Sequence, residues 1–149
     1  MTPWRLRAIV FLLRLGGGTT VCAFFAMFLP VDFMESTHNM LGIGEFPRSP
    51  LVDYLTRSVA ALYGFHGCLL LLLSTDPVKY RAIVYYVAIM NLLFGIMIVA
   101  IDLHAGMPLL WTLVEGPPIS ALGLVLGVLN WQQASLDLAR EPALQRLAR

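Results

Sequence analysis

Residues 77–103 have the sequence PVKYRAIVYYVAIMNLLFGIMIVAIDL, in which no charged side chain occurs between Arg81 and Asp102. About 20 mainly apolar residues suffice for a helix to cross a bilayer, and this segment meets that requirement. Asp76 and Pro77 fit the cap and the first position of such a helix, because proline is well tolerated where the backbone N–H has no helical partner. The sequence therefore predicts a membrane-spanning helix from about Pro77 to Leu103.

Three other segments have the same apolar character and the same length. They run from about Trp4 to Leu29, Pro50 to Leu73 and Pro108 to Asn130. The links at 74–76 and 104–107 are short enough to predict tight returns between consecutive helices. The expected fold class is all-α: an integral membrane four-helix bundle that forms a single domain over residues 1–149.

The composition supports a chain that is embedded in lipid. Of its 149 residues 58% are hydrophobic and 13% are charged, which is too apolar for an ordinary soluble domain. The formal net charge is +1 and the arginines are spread between loops, so nucleic acid is not an expected partner. Cys22 and Cys68 lie inside apolar stretches, and we expect buried free thiols there rather than a disulfide or a zinc site.

Basic residues near the helix ends predict the orientation of the chain. With the N-terminus inside, seven basic residues lie on the inner side and only Arg48 lies in an outer loop. The seven are Arg5, Arg7, Lys79, Arg81, Arg140, Arg146 and Arg149. Since cytoplasmic loops carry the excess of Lys and Arg, both termini are predicted to be cytoplasmic.

Two segments outside the spans are predicted to lie on the membrane surface. The outer-face loop at 31–49 is expected to hold a short interfacial helix, with an apolar side made of Phe33, Met34, Met40 and Leu41. The tail at 131–149 alternates leucines with polar residues, so we expect a surface helix that is broken near Pro142.

Ionisable side chains within the spans need partners away from lipid. Arg57 and Glu115 lie at similar depth, about 10 Å below the outer surface at the rise of an α-helix. We therefore predict an Arg57–Glu115 ion pair supported by Asp102, in an outward-facing polar cavity. Asn91, Gly95 and Asp102 recur at helical spacing and should line the inner seam of the third helix.

This predicted cluster admits two interpretations. One is an internal staple that fixes helix packing, and the other is a pocket for a small anion or a quinone-like molecule.

Tyr63 lies one turn before His66 and is its expected partner. His66 is predicted about 24 Å below the outer end of its helix while His104 is near the surface, so one metal or haem would not reach both. The sequence thus predicts no metal ion, haem or other cofactor.

Gly123 and Gly127 form the motif GLVLG in the fourth helix. Glycines four residues apart let two membrane helices approach closely. The motif is compatible with packing inside the bundle and with a homodimer face, and the sequence leaves both open.

Three stretches together resemble small bacterial four-helix integral membrane proteins of unknown function, loosely DoxX-like. They are RSVAALYGFHG at 57–67, TDPVKYR at 75–81 and DLHAGMPLLWTLVEGPP at 102–118. The shared pattern places Arg57 early in the second helix, Asp102 before a turn with Gly106 and Pro108, and Glu115 in the fourth helix. The resemblance implies the four-helix fold and the bacterial inner (cytoplasmic) membrane. It also implies a loose link to quinone or thiosulfate redox chemistry.

No paired nucleophile and base, phosphate-binding glycine loop or metal-ligand cluster stands out in the sequence. The leading hypothesis is a non-enzymatic membrane protein that acts as an accessory or interaction subunit, with the lipid bilayer and a homo-oligomer or larger membrane complex as partners. The alternatives are a small-molecule binder or carrier, and a subunit of a redox complex that contacts quinone or haem.

Overall fold

The computed structural model describes the backbone of residues 3–42 and 45–147 and the side chains of residues 4–42 and 45–132. Within these residues the regular structure is entirely helical. The helices are α1 (Pro3–Val21), α2 (Ala23–Ala26), α3 (Val31–Met40), α4 (Pro50–Leu73), α5 (Arg81–Ala105) and α6 (Leu109–Leu147).

Four helical stretches are long and apolar enough to cross a membrane. They are Trp4–Ala26, which joins α1 and α2, Pro50–Leu73, Arg81–Ala105 and Leu109–Gln132. The predicted all-α class with four membrane-length helices is therefore confirmed, and the chain has the build of a multi-pass membrane protein.

The caps at the two starts predicted from proline behave differently. Ser49 caps α4 as expected, since its hydroxyl accepts a hydrogen bond from the Val52 N–H at 3.2 Å and Pro50 occupies the first turn. Asp76 instead closes a turn, because its carboxylate accepts the Lys79 N–H at 3.0 Å. Helix α5 begins only at Arg81, four residues after the predicted start at Pro77.

Prolines have different effects in the first span and in α6. The first span is interrupted at Cys22 and its helix ends before Pro30, because the residue before a proline is pushed out of the helical region. By contrast, α6 continues through Pro117, Pro118 and Pro142. The predicted break near Pro142 is wrong, since a proline removes one hydrogen bond without obliging a helix to end there.

The bundle consists of two tightly packed helix pairs, α1 with α4 and α5 with α6. Glycines lie at the interface between the two helices of each pair, which we call its seam. A Cβ on Gly67 of α4 would lie 2.5 Å from the Val21 backbone nitrogen of α1. A Cβ on Gly116 of α6 would lie 2.7 Å from the Gly95 carbonyl oxygen of α5. Within lipid, such close backbone contact gives van der Waals packing that bulkier residues would prevent.

The two pairs join at the end of the bundle that carries the N-terminus. Eight buried apolar side chains from all four long helices meet there: Ile9, Leu13, Leu70, Leu73, Val84, Val87, Ala88 and Leu126. Nearby, the Asn130 amide donates to the Arg81 carbonyl at 3.1 Å and so fastens α6 to the start of α5. Toward the other end α4 and α5 diverge, and a groove opens between them.

Helix α3 is held to the loop that follows it by one arginine. Arg48 donates to the carboxylates of Asp32, at 2.8 Å, and of Glu35. These contacts, with Glu35 first and Asp32 second, raise the pKa of the Arg48 guanidinium. Phe33 and Met40 are exposed on α3, as an interfacial helix requires.

Replacement of Arg48 by alanine should loosen α3 without unfolding the bundle. Because Arg48 and Asp32 are solvent-exposed and Glu35 is only partly buried, we expect amide hydrogen exchange over residues 31–40 to become only about threefold faster. Arg48→Lys is the matched control and should retain part of the protection. Unchanged exchange in the alanine variant would show that the ion pairs do not hold the helix.

Candidate binding groove between α4 and α5

The groove encloses about 620 Å³ and is walled by α4 on one side and α5 on the other. Thr20 of α1 and Ile119 and Leu122 of α6 line it as well. Leu62 and Met97, on its rim, are exposed on the apolar surface of their helices, so the groove opens toward the side that lipid covers. Its size and largely apolar lining are those of a site for a small molecule.

Four polar side chains line this groove. The Thr20 hydroxyl already has a hydrogen-bond partner, because it donates to the Gly16 carbonyl at 2.8 Å. The His66 ring and the Asn91 side chain are neighbours across the groove, whereas the sequence had predicted Tyr63 as the partner of His66. The Tyr63 ring instead meets the Phe94 ring edge to face, with centroids 6.3 Å apart.

Asn91 is the most informative of these residues. It is only 6% exposed, and its Nδ2 atom has no hydrogen-bond partner among the described residues. Leaving a buried amide donor unpaired costs about 1–3 kcal/mol, and native structures rarely do so without a reason. An acceptor supplied by a bound molecule is such a reason.

Arg57 does not belong to this groove. Its Nε donates to the Asp53 carboxylate at 2.9 Å, and its terminal nitrogens donate to the backbone carbonyls of Met27 and, at 3.3 Å, of Leu29. Among the described residues Arg57 pairs with Asp53, so the predicted Arg57–Glu115 pair is wrong.

The physical reason lies in how the first span ends. Because Pro30 stops the helix, the last carbonyls before it lack helical N–H partners. A cation placed there satisfies those oxygens and the negative end of the helix at once. Arg57 is on the side of α4 that packs against α2, and Asp53 one turn earlier completes its pairing. The spacing of Asp53 and Arg57 at four residues was the sequence signal for this pair.

The two acids of the predicted cluster lie close to each other. The charges of Asp102 and Glu115 interact, and both act on Tyr63 across the helices. Asp102 is 6% exposed and its Oδ2 has no partner among the described residues. Thr112, which the sequence analysis did not single out, is 4% exposed and its hydroxyl is also unpartnered there.

Other predicted features fall outside the groove. A Cβ on Gly123 would meet the Leu92 nitrogen and the Ala88 carbonyl, so the GLVLG motif packs α6 against α5 and its first glycine is not open to a second chain.

Cys22 and Cys68 are free thiols, but both are exposed on helix surfaces and not buried as predicted. An apolar setting in the sequence does not distinguish a lipid-facing position from the bundle interior.

Within the described residues no three histidine, cysteine or acidic side chains come together as a metal-binding group. The groove therefore offers hydrogen-bond donors and aromatic rings rather than a ready set of transition-metal ligands. Comparison with protein-family models, curated proteins and solved structures finds no match to this chain. The resemblance to DoxX-like proteins stays a prediction.

Proposed function

We propose that this chain is a non-enzymatic, multi-pass accessory protein of the bacterial cytoplasmic membrane that binds a quinone-like molecule in the groove between α4 and α5. The observation that carries this proposal is the buried Asn91 side chain, whose Nδ2 atom has no partner among the described residues, in a largely apolar groove. The excess of basic residues on one side supports an orientation with both termini in the cytoplasm.

A quinone head group fits the chemistry of this lining. Each of its ring carbonyls is a hydrogen-bond acceptor without a donor of its own, which matches the free Asn91 Nδ2. The Tyr63 and Phe94 rings offer aromatic surface beside it, where a flat ring packs favourably. The opening past Leu62 and Met97 leaves an apolar tail in contact with lipid.

The choice between this ligand and a small anion depends on charge. Among the described residues that line the groove there is no lysine or arginine, and Arg57 pairs with Asp53 and with backbone carbonyls instead. An anion moved into an apolar groove without a counter-charge pays a large desolvation cost. A neutral molecule with carbonyl acceptors avoids that cost.

The test is thermal unfolding of the detergent-solubilised protein with and without decylubiquinone. We expect a saturable rise in melting temperature, because a ligand that binds only the folded state stabilises it. Asn91→Leu should change the stability of the ligand-free protein by less than about 1 kcal/mol, since it removes an unpaired buried donor together with the contact to His66, and should weaken quinone binding about tenfold. Retained stability with loss of the ligand response is the expected signature of a binding residue.

Two controls make the result specific. Decylbenzene has a similar tail and ring but no carbonyl, so it should stabilise the wild-type protein far less than the quinone does. Thr19→Val alters an exposed position on α1 outside the groove and should leave the quinone response unchanged. Equal stabilisation by both ligands, or an unaltered quinone response in Asn91→Leu, would contradict recognition by the amide.

A further inference from the structure

The hairpin of α5 and α6 carries a second polar site at the end away from the hydrophobic core. Asp102 lies in the last turn of α5, and Thr112 lies in the first turn of α6. Both are more than nine-tenths buried, and each has an oxygen with no hydrogen-bond partner among the described residues. Neither residue lines the groove between α4 and α5, so these two oxygens belong to a different part of the protein.

The register of the two helices places Asp102 and Thr112 opposite each other across the hairpin. Gly123 of α6 lies against Ala88 and Leu92 of α5, and Gly116 lies against Gly95 and Val99. The helices are antiparallel, so one further turn along α6 brings Thr112 opposite the last turn of α5. The Ser120 hydroxyl, which donates to the Leu92 carbonyl at 3.2 Å, confirms the same register.

Glu115 adds a second carboxylate beside Asp102. It is half-buried, its charge interacts with that of Asp102, and the Trp111 indole is its neighbour one turn earlier. From α4 the facing titratable group is Tyr63, while Arg57 is turned to Asp53 and to the end of the first span. His104, next to the site on α5, is exposed. Among the described residues no basic side chain forms an ion pair with either acid.

Two neighbouring carboxylates without a counter-charge are unfavourable where water is scarce. The dipoles of α5 and α6 oppose each other at this end of the hairpin, so they do not supply the missing positive charge. Carboxylate and hydroxyl oxygens are the ligands preferred by hard cations such as Na⁺, Ca²⁺ and Mg²⁺. The half-exposure of Glu115 leaves a path for water to complete the coordination shell.

From the buried, unpartnered oxygens of Asp102 and Thr112 and the neighbouring Glu115 carboxylate, we infer that the end of the α5–α6 hairpin binds a hard metal cation. The site is separate from the quinone groove, since none of its three residues lines that groove. Its test is therefore independent of the proposed function.

The experiment measures the melting temperature of the full chain in detergent, in chelated choline chloride buffer at constant ionic strength and pH. NaCl, KCl, CaCl₂ and MgCl₂ are then exchanged for choline in separate titrations. We expect a saturable rise for one of these ions, and the ion with the lowest half-saturation concentration identifies the site's preference. A melting temperature that does not change with any of the four ions overturns the inference.

Three variants locate the effect. Asp102→Asn should abolish the cation response, and Glu115→Gln and Thr112→Val should each raise the half-saturation concentration about tenfold, as the loss of one good ligand does. Thr112→Val keeps the shape of the side chain and both acids, so it reports on binding even where Asp102→Asn does not fold. Glu45→Gln removes a carboxylate from the loop before α4 and should respond like the wild type.

Two outcomes contradict the site. One is a cation response that is retained in full by both Asp102→Asn and Thr112→Val. The other is a melting temperature that changes with pH but not with the identity or concentration of the cation, which would assign the site to a proton.

Discussion

Replacement of Gly95 by leucine is expected to lower the free energy of unfolding by about 3 kcal/mol, because it forces α5 and α6 apart. A Cβ at this position would lie 2.5 Å from the Gly116 carbonyl oxygen and 2.6 Å from the Ser120 backbone nitrogen. Both neighbours are backbone atoms of a continuous helix, so no side-chain rotation relieves the clash. Reversible unfolding of the detergent-solubilised protein, followed by circular dichroism, measures the change.

Gly18→Leu is the matched control, since it makes the same chemical change on α1. No atom outside its local helix lies within 4 Å of a Cβ at Gly18, so the leucine points into open space. We expect a change within about 0.5 kcal/mol, as for other substitutions away from packed contacts. If both variants lost the same stability, the cause would be the removal of a glycine from a helix and not the seam between α5 and α6.

The four-helix architecture was predictable because it depends on local properties of the chain. A run such as Ala82–Ile101 leaves no alternative to a buried or membrane-spanning helix, whatever surrounds it. The cap at Ser49 was predictable for the same reason, since it involves only the next three residues. The buried stripe of Asn91, Gly95 and Asp102 also followed from helical spacing, and all three are buried in the structure.

The partners of Arg57 were not predictable from depth alone. Depth gives a position along a helix axis, whereas the choice between Asp53 and Glu115 depends on which way α4 is rotated and which helix it meets. The groove was missed for a related reason. Its walls belong to two helices joined by a short link, and the sequence does not show that they diverge after sharing one end of the core.

The Asp76–Pro77 start illustrates a smaller limit. An aspartate followed by proline can begin a helix or close a turn. In either structure the carboxylate accepts a hydrogen bond from the backbone N–H three residues later. Here the Lys79 N–H donates to the Asp76 carboxylate within a turn, and α5 begins later, at Arg81. The difference in bounds leaves the spans themselves unchanged.

Replacement of Arg57 by methionine is expected to lower the free energy of unfolding by about 2–3 kcal/mol, because it leaves three acceptors without their charged donor. These acceptors are the Asp53 carboxylate and the backbone carbonyls of Met27 and Leu29. Methionine keeps much of the length and apolar stem of the side chain, so the loss reports on hydrogen bonding more than on packing. The same unfolding measurement applies.

A double-mutant cycle separates the pair seen in the structure from the pair predicted by the sequence. Combining Arg57→Met with Asp53→Asn should give a coupling energy of about 0.5–1 kcal/mol, modest because both side chains are partly exposed. Combining Arg57→Met with Glu115→Gln should give additive effects, since Glu115 interacts with Asp102 and Trp111 instead. A larger coupling to Glu115 than to Asp53 would mean that α4 is rotated toward the α5–α6 pair in the membrane. In that case the arginine would supply the counter-charge for Asp102 and Glu115, and the hairpin would need no cation.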